Sequence, residues 1–278
     1  MSDLPRQARS AANELVRRSE FSWRRATARS RALPNFVIIG AYRTGTTSLY
    51  RWVVSHPEVD PAFTKEVHYF DIDYGRGLDW YRAHFGYARP GRLNIESSPY
   101  MLFHPLAPER AARDLPRTTR FIALLREPVE RAVSHYFHAC KSGFETESFE
   151  RAIELEPQRL AGAEDAVRRG ELSQAYRQLS YVKRGEYAGQ LVRWFEAVGR
   201  DRVLVLESEQ VFSDPETLSG VSDWLGLSKV DVPYESHNAA RRPSQIAPDL
   251  LDRLARHYEP FNEELFALLG RRLWTNEA

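Results

Sequence analysis

The chain has 278 residues, 42% of them hydrophobic, with 39 Lys and Arg against 38 Asp and Glu and a formal net charge of +1. That length and apolar content are enough to bury a full core, and near-neutrality gives no global case for nucleic-acid binding. The single cysteine, Cys140, excludes an intramolecular disulfide and fits a reducing compartment. No stretch approaches the roughly 20 apolar residues of a membrane span, and no apolar signal core follows Met1, so the expectation is a cytoplasmic protein without a transmembrane segment.

Residues 1–33 carry eight arginines against Asp3, Glu14 and Glu20, a local excess of +5. They read as a basic N-terminal extension, solvated or partly helical and packed on a domain spanning 34–278; a membrane-surface or partner-binding helix is the alternative. The domain opens with Asn35–Leu49. Phe36 to Ile39 is a consecutive apolar, β-branched run, as in a strand buried on both faces of a parallel sheet. Gly40 and Gly45 then bracket a turn, and Thr46, Thr47 and Ser48 place hydroxyls and N–H groups where a helix begins. The spacing is nearly that of a nucleotide-binding loop, but Thr46 stands where such a loop has lysine. The nearest cation is Arg43, inside the loop.

A helix is expected over 48–54, ending at His56 and Pro57. The dense segment Lys65–Asp71 follows. Read as extended, it projects Glu66 and His68 to one face, a base and a polar neighbour for an acceptor hydroxyl; the plainer reading is a half-buried strand with ordinary hydrogen bonds. A short helix is expected near 79–85, a second strand over 92–98 that breaks at Pro99, and a third over 120–125. The third closes on Arg126, where a metal-dependent NTPase often has Asp, so this strand end suits an anion. Pro128 opens a helix that brings Ser134 within reach of the strand end, and Arg126 with Ser134 could clamp a phosphate.

Residues 141–177 read as a charged, helix-prone insertion with little apolar surface. An amphipathic helix over 187–195, a fourth strand over 202–207 and a helix from Asp214 to Leu227 restore the pattern; Glu207 reads as a solvated strand-end carboxylate. A basic loop at His237–Pro243, with Arg241 and Arg242, precedes a helix over 248–258 and a second over 262–274. Strands separated by helices give an α/β class, a P-loop-like three-layer domain whose central, largely parallel sheet is flanked by helices.

Four blocks in this order, Ile38–Leu49, Lys65–Asp71, Leu125–Ser134 and Pro248–Trp274, resemble the sulfotransferases that use 3′-phosphoadenosine 5′-phosphosulfate (PAPS). The resemblance is to the heparan-sulfate-type branch and its bacterial relatives, and it spans roughly 35–274. It implies a PAPS-dependent sulfotransferase acting on a hydroxyl, or an amine, of a glycan or small metabolite, with PAP as product and no metal. The loop Arg43, Thr44, Gly45, Thr46, Thr47 and Ser48 would hold the phosphosulfate, with Arg43 at the position of the family's lysine. Arg126 and Ser134 would hold the 3′-phosphate, Glu66 would be the general base with His68 and Asp71 as polar neighbours, and Arg241 and Arg242 would cover the donor. Ser97 departs from relatives that carry a catalytic lysine there, so their acceptor recognition does not transfer. The alternatives are a kinase or NTPase with an atypical loop, and a catalytically dead module docking a partner through its basic N-terminus.

Overall fold

The structure, a computed structural model, describes residues 6–229 and 246–274. In chain order the elements are α1 (Arg6–Ala26), β1 (Phe36–Gly40), α2 (Thr46–Ser55), β2 (Val59–Pro61), α3 (Leu78–Arg82), β3 (Leu93–Ser97), α4 (Ala107–Asp114), β4 (Arg120–Leu125), α5 (Pro128–Lys141) and α6 (Phe149–Leu160). They continue with α7 (Ala163–Arg168), α8 (Gln174–Gln178), α9 (Tyr187–Val198), β5 (Val203–Glu207), α10 (Ser208–Ser213), α11 (Pro215–Leu225) and α12 (Pro248–Leu269).

The five strands form one sheet in the order β2-β3-β1-β4-β5, every pair parallel. The unbroken apolar run of β1 serves both faces at once, since successive side chains alternate. Val37 and Ile39 pack with Leu191 and Trp194 of α9 and with Leu265 of α12. Phe36 and Ile38 pack with Leu49 and Val53 of α2 and with Val221 of α11. The result is helix, sheet, helix, with β1 central and its carboxyl end facing the region where parallel sheets place ligands.

Several local expectations change. The edge strand β2 is only three residues long, too short for periodicity to reveal, so the strand expected fourth is the fifth. Residues 65–71 form turns and not a strand, because Glu66 and His68 both take left-handed backbone angles, φ +60° and +56°. The two helices expected near the C-terminus are one, α12, running through Pro260; Leu254, Tyr258, Leu265 and Phe266, all buried, hold both sides of the proline against the domain. The stretch 141–177, expected to be helix-prone with little apolar surface, is helical but packed. Phe149, Ala152, Val167 and Tyr176 are buried, and Glu145 adds an internal tie, ion-paired to Arg159 at 2.6 Å and accepting from the Tyr181 hydroxyl at 3.0 Å. Glu207 is buried and not solvated, at 6% exposure. In α1, Phe21 packs on Phe63 and His84, with ring centroids 5.6 and 4.6 Å apart, so this helix lies against the segment that leads to Glu66. Arg241 and Arg242 lie outside the described residues.

Candidate active site

The loop after β1 is shaped by two close approaches. Gly45 has φ +87°, and a Cβ there would sit 2.3 and 2.6 Å from ring atoms of Phe212, so only glycine fits both the backbone and the space. Thr44 is turned inward: its hydroxyl oxygen lies 2.7 Å from Ala41 O and 2.8 Å from Leu124 O, sharing its one proton, while its carbonyl accepts from Ser208 Oγ at 2.8 Å. Thr44 therefore ties the loop to β4 and α10, and what it can offer a ligand is its backbone. Helix α2 starts at Thr46, which is buried, whereas Thr47 is exposed. The opening N–H groups of such a helix suit an anion, while those of Ser48 and Leu49 already donate to Gly45 O at 2.9 and 3.1 Å.

Arg43 also has a left-handed backbone, φ +72°, and its Nε donates to Ser134 Oγ at 3.2 Å. Burial, above all, lowers its proton affinity, with Arg126 contributing through like charge; the guanidinium stays a cation across the working pH range. Arg126, just past the end of β4, contacts Glu209 at 3.3 Å and Glu130 at 3.4 Å, and its carbonyl accepts from the Tyr187 hydroxyl at 2.9 Å. The carboxylate of Glu127 caps α5, accepting from the N–H groups of Val129 and Glu130 at 3.0 and 2.7 Å. That cap fixes where α5 begins and hence where Ser134 stands relative to the loop.

Glu66 meets His68 despite the loss of the expected strand. Its Oε2 lies 3.6 Å from His68 Nε2 and its Oε1 2.6 Å from Lys65 Nζ. His68 Nδ1 in turn lies 2.9 Å from Oδ2 of Asp71, whose side chain is fully buried. The order is carboxylate, imidazole, carboxylate. Contact with His68, then with Lys65, holds the Glu66 carboxyl down to about 2 in spite of partial burial. For His68, burial opposes the imidazolium, but Asp71 and Glu66 together outweigh it and raise the group to about 10. At neutral pH the site thus carries an ionised Glu66 beside a protonated His68.

Behind them, at the end of β3, stands Glu96, wholly buried and bonded to the hydroxyls of Ser98 and Tyr81. Burial pushes it up to about 8, so it is mainly neutral at pH 7. Ser98 Oγ also accepts from the backbone N–H of His68 at 3.0 Å, and Glu66 N–H donates to Ser97 O at 3.1 Å. These two bonds pin the left-handed turn to the sheet.

A sulfotransferase domain family matches residues 33–236. The chain belongs to this sulfotransferase family. Among its relatives are the mouse heparan sulfate glucosamine 3-O-sulfotransferase 3B1, 28% identical with 87% of this chain and 65% of the relative covered, and the human 3-O-sulfotransferase 6, 29% identical with 87% and 73% covered. The chain spans slightly less than two thirds of the length of the first of these. A crystal structure of a sulfotransferase from Alicyclobacillus acidocaldarius superposes with a TM-score of 0.70 at 31% identity, covering 87% of this chain and 98% of that one. The three-layer parallel fold is that of this sulfotransferase, and in sequence the chain is similar to the heparan-sulfate-type branch.

The sulfotransferase fold gathers most of the residues singled out from the sequence. Arg43 with Ser134, and Glu66 with His68 and Asp71, are in contact. The loop and the Glu66 turn are electrostatically linked, since both Arg43 and Glu66 act on the phenol of Tyr42. Sequence reasoning missed Glu96 and Ser98 as supports, Tyr42, and His138, whose Nδ1 lies 2.9 Å from the Tyr42 hydroxyl. The i, i+4 spacing of Ser134 and His138 was the available signal for the last of these.

Proposed function

We propose that the chain transfers a sulfuryl group from PAPS to a hydroxyl, or an amine, of a glycan or small molecule. The observation that carries the reading is one arrangement at the carboxyl ends of β1, β3 and β4: an anion loop with Arg43, a second cation at Arg126, and an ionised carboxylate at Glu66. Sulfuryl transfer spreads negative charge over the transferred group and the leaving phosphate, so the protein must mainly position and neutralise. Arg43 and the N–H groups from Thr44 to Thr47 are suited to the 5′-phosphosulfate, with Ser48 alongside them. Arg126 and Ser134 are suited to the 3′-phosphate that separates PAPS from ATP, with Arg126 exchanging its contacts to Glu130 and Glu209 for it. Glu66 takes the acceptor proton as the new O–S bond forms and the bridging S–O bond breaks, and PAP leaves with the electron pair. His68 and Asp71 hold Glu66 in place. Glycan acceptors are favoured by the two curated relatives, which are named for heparan sulfate glucosamine.

Calorimetry and labelled transfer test this together. Adenosine 3′,5′-bisphosphate binds tightly without Mg²⁺ and ATP much more weakly, and labelled PAPS marks an acceptor from a panel of glycans, phenols and natural-product alcohols. Preference for ATP with Mg²⁺ would instead select a kinase or NTPase.

A further inference from the structure

Two successive loop residues are held by one face of α5. Arg43 Nε donates to Ser134 Oγ at 3.2 Å, and the Tyr42 hydroxyl lies 2.9 Å from His138 Nδ1. Ser134 and His138 are one helical turn apart and so stand side by side. The Tyr42 ring is boxed in as well. Arg184 lies over it at 5.3 Å, and His135 and His138 meet it edge-on, with centroids at 5.1 and 5.7 Å. Arg184 is itself buried and fixed through its Nε to Ser180 Oγ at 2.9 Å. Between these contacts the backbone passes through the left-handed angle of Arg43, which an L-residue adopts only when its surroundings hold it.

We infer that Tyr42 and His138 are a positioning pair that, together with Ser134, clamps the loop and aims Arg43. The inference rests on the loop acting as the sulfuryl-donor loop. The Tyr42 hydroxyl and His138 Nδ1 share one hydrogen bond, in which the hydroxyl can donate to a bare nitrogen or accept from its N–H. The charged and titratable groups facing His138 are Arg43 and Tyr42 from the loop, Lys141 and His135 from its own helix, and Glu66 from the turn after β2. Burial first, then Arg43 and Lys141, lower its proton affinity, while Glu66 opposes them. The imidazole is thus neutral at pH 7 and charges below its ordinary 6.5. Glu66, held to about 2, and His68, raised to about 10, do not titrate in that window.

The test compares wild type, Tyr42→Phe, His138→Ala and the double variant at pH 7.5, with thermal melts to verify folding. Tyr42→Phe keeps the ring and removes only the hydroxyl; at pH 7.5 its kcat falls about 5- to 10-fold, the loss of one hydrogen bond, with acceptor KM unchanged. His138→Ala removes the partner and lowers kcat by a similar factor, and the double variant loses no more than about 2-fold beyond either single variant, since both remove one shared contact. NMR of the His138 ring supplies a readout that needs no turnover: its midpoint lies below 6.5 in wild type and moves in Tyr42→Phe, because the bond to the phenol is gone. Unchanged kcat in Tyr42→Phe, losses that multiply in the double variant, or a His138 midpoint indifferent to Tyr42→Phe each overturns the pair. Absence of any sulfuryl transfer by wild type overturns the enzyme reading instead, and the NMR comparison still judges the contact.

Discussion

Replacing Asp71 by Asn removes one charge from the site and almost nothing else. The Asp71 side chain is fully buried, its Oδ2 lies 2.9 Å from His68 Nδ1, and its Oδ1 accepts from Ile72 N–H at 2.8 Å, a bond an amide oxygen can keep. Burial already disfavours the imidazolium, and Asp71 is the first of the groups that reverse this. Without it the balance tips, and His68 gives up its proton near or below the ordinary 6.5 in place of about 10. A group raised on folding stabilises fully below its unfolded value and loses that contribution as pH climbs through its folded value. The variant is therefore most destabilised below pH 6.5, and the gap closes between pH 6.5 and 10. Breaking a buried pair costs about 3–5 kcal/mol, which for a chain of this size is roughly 6–10 °C in Tm. Melts from pH 5.5 to 10, with NMR titration of the His68 ring, provide the measurement. A Tm gap that does not change with pH, or a ring that still titrates near 10 in the variant, would refute the assignment of Asp71 as the partner that keeps His68 charged.

Three further outcomes follow from the same geometry. Glu66→Gln lowers kcat about 10²- to 10⁴-fold, the usual share of a general base, while calorimetry finds the affinity for adenosine 3′,5′-bisphosphate unchanged; wild-type turnover in this variant would remove Glu66 from the role. Arg126→Ala weakens the 3′,5′-bisphosphate about 10- to 100-fold, the value of a charged hydrogen bond, and leaves adenosine 5′-phosphate nearly unaffected, so equal losses for both would place Arg126 away from the 3′-phosphate. Gly45→Ala puts a methyl 2.3 Å from the Phe212 ring at a φ of +87°. The backbone contributes about 1–2 kcal/mol and the overlap about 1–3 kcal/mol; trimming Phe212 to Ala in the same chain relieves only the second part in a denaturant melt.

The parts of the fold that were legible in the sequence are those fixed by local chemistry. The apolar run of β1 could only be a strand with two buried faces, and Val37 and Ile39 do oppose Phe36 and Ile38 across the sheet. The glycine at 45 announced a tight loop, and Pro128 announced the start of α5. What stayed hidden depends on contacts distant in sequence. Read as extended, Lys65–Asp71 would put Glu66 and His68 on one face; the turn is instead imposed by the end of β3, where Ser98 and the Ser97 carbonyl capture the backbone of His68 and Glu66. The continuity of α12 through Pro260 was equally illegible, since a proline's local cost is visible in a sequence and the tertiary burial that offsets it is not. At the site, residue types predicted which groups would gather, but not which would touch: Ser134 was expected beside Arg126 and is hydrogen-bonded to Arg43.

The low proton affinity of Glu66 bears on how a base can work in this setting. Held to about 2 by His68 and then Lys65, the resting carboxylate is ionised but weakly basic, and a general base is most effective near the working pH. The two restraining contacts are not equivalent. Lys65 meets Glu66 on its accessible side, whereas His68 is tied from behind by the buried Asp71. In the proposed reaction an acceptor hydroxyl displaces the Lys65 contact and leaves that to His68, which raises the basicity of Glu66 where the proton must go. Once Glu66 is protonated, His68 remains paired with Asp71, so proton transfer strands no buried charge without a partner. Neutral Glu96 completes the arrangement, because a second ionised carboxylate behind Asp71 would compete for the same imidazolium. A carboxylate with a fixed cation on one side and an exchangeable one on the other is stable at rest and becomes a competent base only as the acceptor arrives.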